Sequence, residues 1–230
     1  MTNRKPVFLS WSGGKDSALT LDALAQSPEF EVVGLLTSVT RGYDRISVHG
    51  VRRSLLHAQA ESLGLPLQEI LLDQNCTNDA YESAFHLALQ GIREHQPEVK
   101  HIAFGDLFLE DVRAYRERLL AGSGFDPVFP IWGMNTQDLA RRFITDGFAA
   151  RLVCVDTTQL DPSFAGREFD ATLLADLPSS ADPCGERGEF HTFVSNGPGF
   201  SRGIAYETGE RVLREQRFMY CDLIQRVGDT

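Results

Sequence analysis

The chain has 230 residues, 42% hydrophobic and 23% charged, a composition typical of a soluble globular protein with one large or two small domains. Its net charge of −10 argues against extensive nucleic-acid binding, because a protein surface that binds nucleic acid must be basic enough to neutralise phosphates. No apolar stretch approaches the roughly 18 residues that span a bilayer, and no signal peptide is apparent, so the sequence predicts a cytoplasmic protein without a membrane anchor. The four cysteines form no Cys-x-x-Cys pair, which favours reduced thiols over a zinc site.

A glycine-rich loop between a strand and a helix is the first functional signal. The apolar run at 7–11 predicts a strand, residues 12–17 read Ser-Gly-Gly-Lys-Asp-Ser, and 16–25 predict a helix. Backbone N–H groups at a helix N-terminus bind anions, and glycines let a phosphate approach closely. Asp16 follows Lys15 where a Walker A motif needs Ser or Thr, so the sequence predicts a phosphate-binding loop of another class.

Strands and helices then alternate as far as residue 121. Strands are predicted over 31–37, Leu67–Leu72 and 101–105, and helices over 51–63, 78–94 (with Asn78 as its cap) and 112–121. This alternation predicts right-handed βαβ units and a parallel, doubly wound α/β sheet. Ligands bind such sheets at the carboxyl ends of strands, so we expect the 12–17 loop, Thr37 and the Gly105–Asp106 pair to meet at one crevice.

The pattern changes near residues 127–133, where Pro-Val-Phe-Pro-Ile-Trp-Gly interrupts the alternation. Beyond it we predict a helix over Thr136–Thr145, a strand over 149–155, a helix over 170–176, and several strands from residue 190 onward. The segment 211–227 is ambiguous, and a strand is favoured there. We therefore expect two domains, one at 1–130 that contains the phosphate-binding loop and a smaller α+β domain at 131–230.

A second group of reactive residue types lies at 182–194, Asp-Pro-Cys-Gly-Glu-Arg-Gly-Glu-Phe-His-Thr-Phe-Val. Glu186 and Glu189 can bind a metal, act as a base or orient an amine, and His191 can carry a proton near neutral pH. Taken locally, the segment also fits a tight turn with solvated acids that precedes a strand.

Both motifs resemble known families. The Ser-Gly-Gly-Lys-Asp-Ser loop resembles the pyrophosphate loop of the ATP pyrophosphatases, the adenine-nucleotide alpha-hydrolase group. The run Cys-Gly-Glu-x-Gly-Glu-Phe-x-Thr at 184–192 resembles the C-terminal signature of the diphthine–ammonia ligase family. Other segments resemble the same family in the same order. They are Gln59-Ala60 before Leu63-Gly64, Gly105-Asp106-Leu107 with Arg113 and Glu117 downstream, and Pro130-Ile131-Trp132-Gly133. The segment 47–52 looks like the family's bacterial branch, in which diphthine is not the expected substrate.

This resemblance implies a HUP-like, Rossmann-type domain and an ATP-dependent amide ligase. Such an enzyme adenylates a diphthine-like carboxylate, protein-bound or small, and transfers ammonia to it, releasing AMP and pyrophosphate. The resemblance assigns the phosphates to Ser12, Gly13, Gly14, Lys15, Asp16 and Ser17. It assigns Mg²⁺ to Asp16, adenosine to Thr37 and its neighbours, and the acceptor and ammonia to Glu186, Glu189 and Thr192. Of these, Glu189 is the leading candidate to bind or deprotonate the amine, with Glu186 supporting it and Thr192 donating a hydrogen bond. Lys15 and Asp16 would also take part in catalysis, and Gly105 and Asp106 in nucleotide binding. A homodimer is compatible with this interpretation.

Two alternatives remain open at this stage. One is an ATP-alpha-hydrolysing enzyme of the same superfamily that acts on another small molecule or on tRNA. The other is a nucleotide-binding regulatory protein without turnover. Formation of AMP and pyrophosphate would distinguish these enzymes from a regulatory protein without turnover and from kinases.

Overall fold

The computed structural model describes residues 4–42, 45–46 and 50–226. Residues 47–49, which belong to the segment that resembles the bacterial branch, lie outside this description. The first half contains β1 (Lys5–Ser10), α1 (Lys15–Gln26), β2 (Phe30–Thr40), β3 (Arg45–Ile46), α2 (Arg53–Leu63), β4 (Leu67–Leu72), α3 (Asn78–His95), β5 (His101–Ala103), α4 (Glu110–Leu120) and β6 (Asp126–Val128). The second half contains α5 (Thr136–Thr145), β7 (Ala149–Asp156), a 3₁₀ turn (Pro162–Phe164), α6 (Ala171–Asp176), β8 (Phe190–Asn196), β9 (Tyr206–Arg214) and β10 (Phe218–Gln225).

The first sheet confirms the predicted parallel, doubly wound architecture. Five strands run parallel in the order β4-β2-β1-β5-β6, and the short β3 pairs antiparallel with the end of β2. The strand order reverses direction between β1 and β5, which makes a crevice outside their carboxyl ends. The 12–17 loop follows β1, and Gly105–Asp106 follow β5, so both predicted segments lie at this crevice.

The second sheet is antiparallel, in the order β8-β7-β10-β9, and confirms a smaller α+β unit after the first. The ambiguous C-terminal segment is extended, as favoured, but it forms parts of two strands. Glu215 and Gln216, both with a φ of 53°, make the reversal between them.

Small errors of the sequence interpretation have local causes. Asn78 is the first residue of α3, and the cap is Thr77, whose hydroxyl oxygen accepts a hydrogen bond from the Ala80 N–H at 3.3 Å. The strands β3 and β6 were not expected, because segments of two or three residues are too short to show an alternating pattern.

The two halves share one apolar core. Val7 and Leu9 of β1 point to the sheet face that packs with buried residues of the second half, including Phe143 of α5 and Phe193 of β8. Phe8, between them, points to the opposite face and its separate core under α3 and α4. Burial of both faces explains why β1 is a continuous apolar run. Among the described residues, no helix is long and apolar enough to cross a membrane.

Candidate active site

The 12–17 loop is shaped by two glycines and short hydroxyl contacts. Gly13 has a φ of +78°, and a Cβ there would lie 2.7 Å from Gln59 Oε1, so the backbone conformation and the space both require glycine. Gly14 precedes α1, and the Ser17 hydroxyl donates to its carbonyl oxygen at 2.9 Å. The Gly14 N–H donates to Ser12 Oγ at 3.3 Å. The result is a compact loop directly at the N-terminus of a helix, the usual arrangement for binding a phosphate.

Lys15 brings a buried positive charge to this loop. Its side chain is only 2% exposed, and Nζ lies 2.5 Å from Asp16 Oδ1 and 5.9 Å from the centre of the Phe190 ring. Burial opposes the charge, but the neighbouring Asp16 carboxylate outweighs it and keeps the pKa of Lys15 above its ordinary value. Lys15 is therefore a fixed cation at the start of α1.

The loop at 185–192 is held in shape by carboxylates that accept backbone hydrogen bonds. Glu189 is 1% exposed, and its two oxygens accept from the N–H groups of Asp182 at 2.7 Å and Arg187 at 2.9 Å. Asp182 in turn accepts from the Cys184 N–H at 2.8 Å and from the Thr136 hydroxyl at 2.7 Å. The buried Glu189 carboxylate thus stabilises the turn by accepting two backbone hydrogen bonds.

Direct hydrogen bonds join the two loops. The Lys15 N–H donates to Thr192 Oγ1 at 3.0 Å, and the Val194 N–H donates to the Gly13 carbonyl at 2.8 Å. The buried Gln59 amide group donates to the carbonyl oxygens of Gly13 at 3.0 Å and Val194 at 2.6 Å. The strand β8, which follows the acidic motif, is therefore hydrogen-bonded directly to the 12–17 loop.

A cavity of about 270 Å³ opens between the two loops at the carboxyl ends of β1 and β5. Most of the predicted site residues line it: Ser12, Lys15, Asp16, Ser17, Gly105, Asp106, Glu186 and Thr192. Gly105 allows this close approach, because a Cβ there would lie 2.9 Å from Thr20 Oγ1 and 3.1 Å from the Asp16 carbonyl. Glu189 is absent from the lining, whereas Glu186 belongs to it.

A second cavity, of about 510 Å³, adjoins the first and shares Ser10, Ser12 and Arg116 with it. Thr37 lines this larger cavity, with its hydroxyl donating to the Trp11 carbonyl at 2.6 Å. Tyr81, Phe85 and several aliphatic side chains make much of the remaining wall. The larger cavity is therefore more apolar and suits a flat ring system better than a phosphate chain.

The acids of the smaller cavity repel one another. Burial, added to the charges of Asp16 and Asp106, raises the pKa of Glu186 to about 7, although Oε1 accepts from the Leu107 N–H at 2.9 Å. Burial also raises the pKa of Asp106 against the opposing charge of Arg116. Glu186 therefore changes protonation state near neutral pH, which is the property a general acid or base requires.

Two other titratable groups of the motif remain uncharged at neutral pH. Burial, and then the charge of Lys15, lowers the pKa of His191 to about 4, and this ring lines the smaller cavity. Burial raises the pKa of the Cys184 thiol to about 12, and Sγ contacts the Thr136 carbonyl at 3.3 Å. His191 can therefore offer a neutral ring nitrogen, while Cys184 is a packing residue.

Arg116 was missed in the sequence and lies at the junction of the two cavities. It lies in the middle of α4, where an arginine in a polar, charged helix carries no signal of its own. Its guanidinium reaches the site because α4 packs so that Arg116 lies beside Phe104 and Asp106, the residues that follow β5. Among the described residues, no group of three or more His, Cys, Asp or Glu side chains is arranged to hold a metal ion.

The two halves of the chain match the two domain models of one protein family. A model of the diphthamide synthase N-terminal domain matches residues 5–127, and a model of the diphthamide synthase C-terminal domain matches residues 135–227. The chain belongs to the diphthamide synthase family. The expectation drawn from the 12–17 and 184–192 motifs is thereby confirmed.

Three mammalian relatives illustrate the distance within this family. Human diphthine–ammonia ligase is 26% identical over 223 residues, covering 88% of this chain and 83% of the relative. The enzyme of the same name from Rattus norvegicus is 25% identical over 179 residues, covering 76% and 66%. That from Bos taurus is 25% identical over 222 residues, covering 87% and 82%. The relatives of this chain are thus enzymes named as ligases, at about one quarter sequence identity.

Proposed function

We propose that this chain is an ATP-dependent ligase that adenylates a carboxylate and transfers ammonia to the acyl group, releasing AMP and pyrophosphate. The observation that carries the proposal is the smaller cavity between the two loops. Its one wall is a helix N-terminus with a buried lysine, and its other wall carries Glu186, whose pKa lies near neutrality. A phosphate site and a proton acceptor therefore face the same small space.

The two adjoining cavities suggest how ATP is held. The phosphates lie in the smaller cavity, against the 12–17 loop and Lys15, and the nucleoside lies in the larger one, near Thr37 and Tyr81. This arrangement brings the bond between the alpha and beta phosphates to the junction of the cavities. Cleavage at the alpha phosphate therefore fits the order of the two compartments.

The reaction has two balanced steps. A carboxylate oxygen of the acceptor attacks the alpha phosphorus, the bond from that phosphorus to the bridging oxygen breaks, and pyrophosphate leaves. Ammonia then attacks the acyl carbon, the bond from that carbon to the AMP oxygen breaks, and the proton lost by nitrogen passes to Glu186. Glu186 suits this last role because it is a cavity-lining carboxylate with a pKa of about 7.

The two glutamates of the motif have separate roles in this proposal. Glu186 faces the cavity and handles the proton, whereas Glu189 maintains the loop through two backbone hydrogen bonds. Thr192 positions the phosphate loop by accepting the Lys15 N–H. Lys15 stabilises the phosphates by charge.

Mg²⁺ fits this site, because Asp16, Asp106 and Glu186 place mutually repelling carboxylates around the cavity and a divalent ion offsets that repulsion. Asp16 would hold the ion together with nucleotide phosphates, a common arrangement for Mg²⁺. When bound, the ion would neutralise part of the negative charge of the phosphates.

The remaining parts of the proposal concern context. The relatives' name suggests diphthine or a similar carboxylate as acceptor. We further propose domains at 1–130 and 131–230 and a cytoplasmic location, the latter from the reduced cysteines.

Exchange of labelled pyrophosphate into ATP tests the first step without requiring ammonia. Candidate carboxylates, from diphthine-bearing elongation factor 2 to small carboxylic acids, are supplied one at a time with ATP and Mg²⁺. Exchange that depends on one carboxylate, followed by AMP and amide formation when ammonium is added, supports the proposal. Release of ADP and phosphate contradicts it, AMP formation only with tRNA favours another enzyme of the superfamily, and binding without turnover favours a regulatory protein.

A further inference from the structure

Arg116 carries a buried Nε donor that has no hydrogen-bond partner among the described residues. Its Nε lies 3.6 Å from Asp106 Oδ2, beyond hydrogen-bond distance, and both atoms are buried. Within residues 4–42, 45–46 and 50–226, neither atom has a hydrogen-bond partner. Leaving buried polar atoms unpaired costs free energy, so such a pair needs an explanation in the function of the site.

The guanidinium is nevertheless held in place. Its central carbon lies 5.0 Å from the centre of the buried Phe104 ring, and the Asp106 carboxylate faces it from the strand end. The side chain is 24% exposed, and its exposed part lines both cavities. The planar guanidinium of Arg116 thus lies on the face of the Phe104 ring at the junction of the two cavities. The Asp106 carboxylate attracts its charge but lies too far away to accept a hydrogen bond from Nε.

We infer that Arg116 is a binding residue for the alpha phosphate of the nucleotide and for the AMP moiety after pyrophosphate leaves. This inference rests on the proposed function, because it takes the phosphates to lie in the smaller cavity and the nucleoside in the larger. In ATP, the alpha phosphate is the group between these two parts, and Arg116 is the cation between the two cavities. A guanidinium can donate two parallel hydrogen bonds to phosphate oxygens.

The position also suits the chemistry of adenylation. Attack on the alpha phosphorus increases negative charge on its non-bridging oxygens, and a preorganised donor at that point stabilises the transition state. Lys15, which lines only the smaller cavity, and Arg116, which lines both cavities, would then act on different phosphates. Asp106 positions Arg116 while the site is empty.

Comparison of AMP with adenosine isolates this contact, because the two ligands differ by the alpha phosphate alone and need no acceptor. Dissociation constants are measured by calorimetry for the wild type, Arg116→Gln and Arg116→Lys. Arg118→Gln is the control, since Arg118 lies on the same helix, is exposed and stacks on Tyr115 at 6.0 Å. Thermal unfolding shows whether each variant is folded.

Arg116→Gln is expected to weaken AMP binding by roughly tenfold to a hundredfold and to leave adenosine binding within about twofold, as for loss of a charged hydrogen bond. Arg116→Lys keeps the charge but lacks the planar pair of donors, so its AMP affinity should be intermediate; this variant decides the matter if the glutamine variant does not fold. Unchanged AMP binding in either folded variant overturns the inference, and so does an equal loss for AMP and adenosine. A wild type that binds ATP but not AMP overturns the inference, and one that binds neither ATP nor AMP overturns the proposed function itself.

Discussion

The two loops around the smaller cavity differ in what maintains their shape. The 12–17 loop depends on backbone geometry, since Gly13 adopts a left-handed conformation with Gln59 directly against it. The 185–192 loop depends on charge, since the Glu189 carboxylate is surrounded by backbone N–H donors. The glycine-maintained loop uses no acid to keep its shape, whereas the carboxylate-maintained loop uses one acid internally and presents only the other to the cavity.

The largest effect is expected from breaking the backbone-maintained loop. Gly13→Val should destabilise the fold by roughly 2–4 kcal/mol and weaken ATP binding more than about a hundredfold, because the side chain meets Gln59 and strains a left-handed residue. Calorimetry and chemical denaturation measure the two effects.

Gly122→Val is the matched control for this change. Gly122 has a similar φ of +75°, but a Cβ there has open space around it. This variant should show the backbone strain alone, with ATP affinity unchanged. Equal loss of ATP affinity in both variants would mean that strain, and not the approach to Gln59, is what matters at Gly13.

An effect of intermediate size is expected from the acid that faces the cavity. Glu186→Gln should lower the rate of amide formation by about a hundredfold and leave ATP affinity nearly unchanged, because it removes a proton acceptor rather than a nucleotide contact. A carboxyl group with a pKa of about 7 accepts a proton only once it is ionised. The wild-type rate at fixed free ammonia should therefore rise with pH up to about 7 and then level off.

The pH profile is the decisive readout for Glu186. The glutamine variant should lose the inflection near pH 7. Glu168→Gln changes an exposed acid paired with Arg151 and should retain the inflection. A Glu186→Gln enzyme with the wild-type inflection would assign that titration to another group.

The smallest effect on the chemistry is expected from the acid inside the loop. Glu189→Gln replaces an acceptor oxygen by an amide donor and leaves one backbone N–H unpaired, at a cost of about 1–3 kcal/mol in the free energy of unfolding. The rate should fall by about tenfold as the loop loosens, which corresponds to about 1.4 kcal/mol. The inflection near pH 7 should persist, and its loss would give Glu189 the role assigned to Glu186.

The sequence predicted the parallel sheet and the smaller α+β unit that follows it, because both depend on local periodicity. It favoured Glu189, with Glu186 in support, and could not show which of the two acids lines the cavity. Which acid turns inward depends on the positions of the Asp182 and Arg187 N–H groups, and these follow from the folded turn. The sequence could not identify Arg116 for a similar reason, because only the packing of α4 in the folded chain brings this residue beside Asp106 and into the cavity lining.

The hydrogen bond between the Lys15 N–H and Thr192 joins residues that are 177 positions apart in the chain. At typical rates of synthesis, roughly 10–35 seconds separate the emergence of these two residues from the ribosome. Throughout that interval the 12–17 loop lacks its hydrogen bonds to Thr192 and Val194. A nascent chain should therefore acquire tight ATP binding only when β8 has emerged and docked, so that nucleotide affinity reports a nearly complete protein.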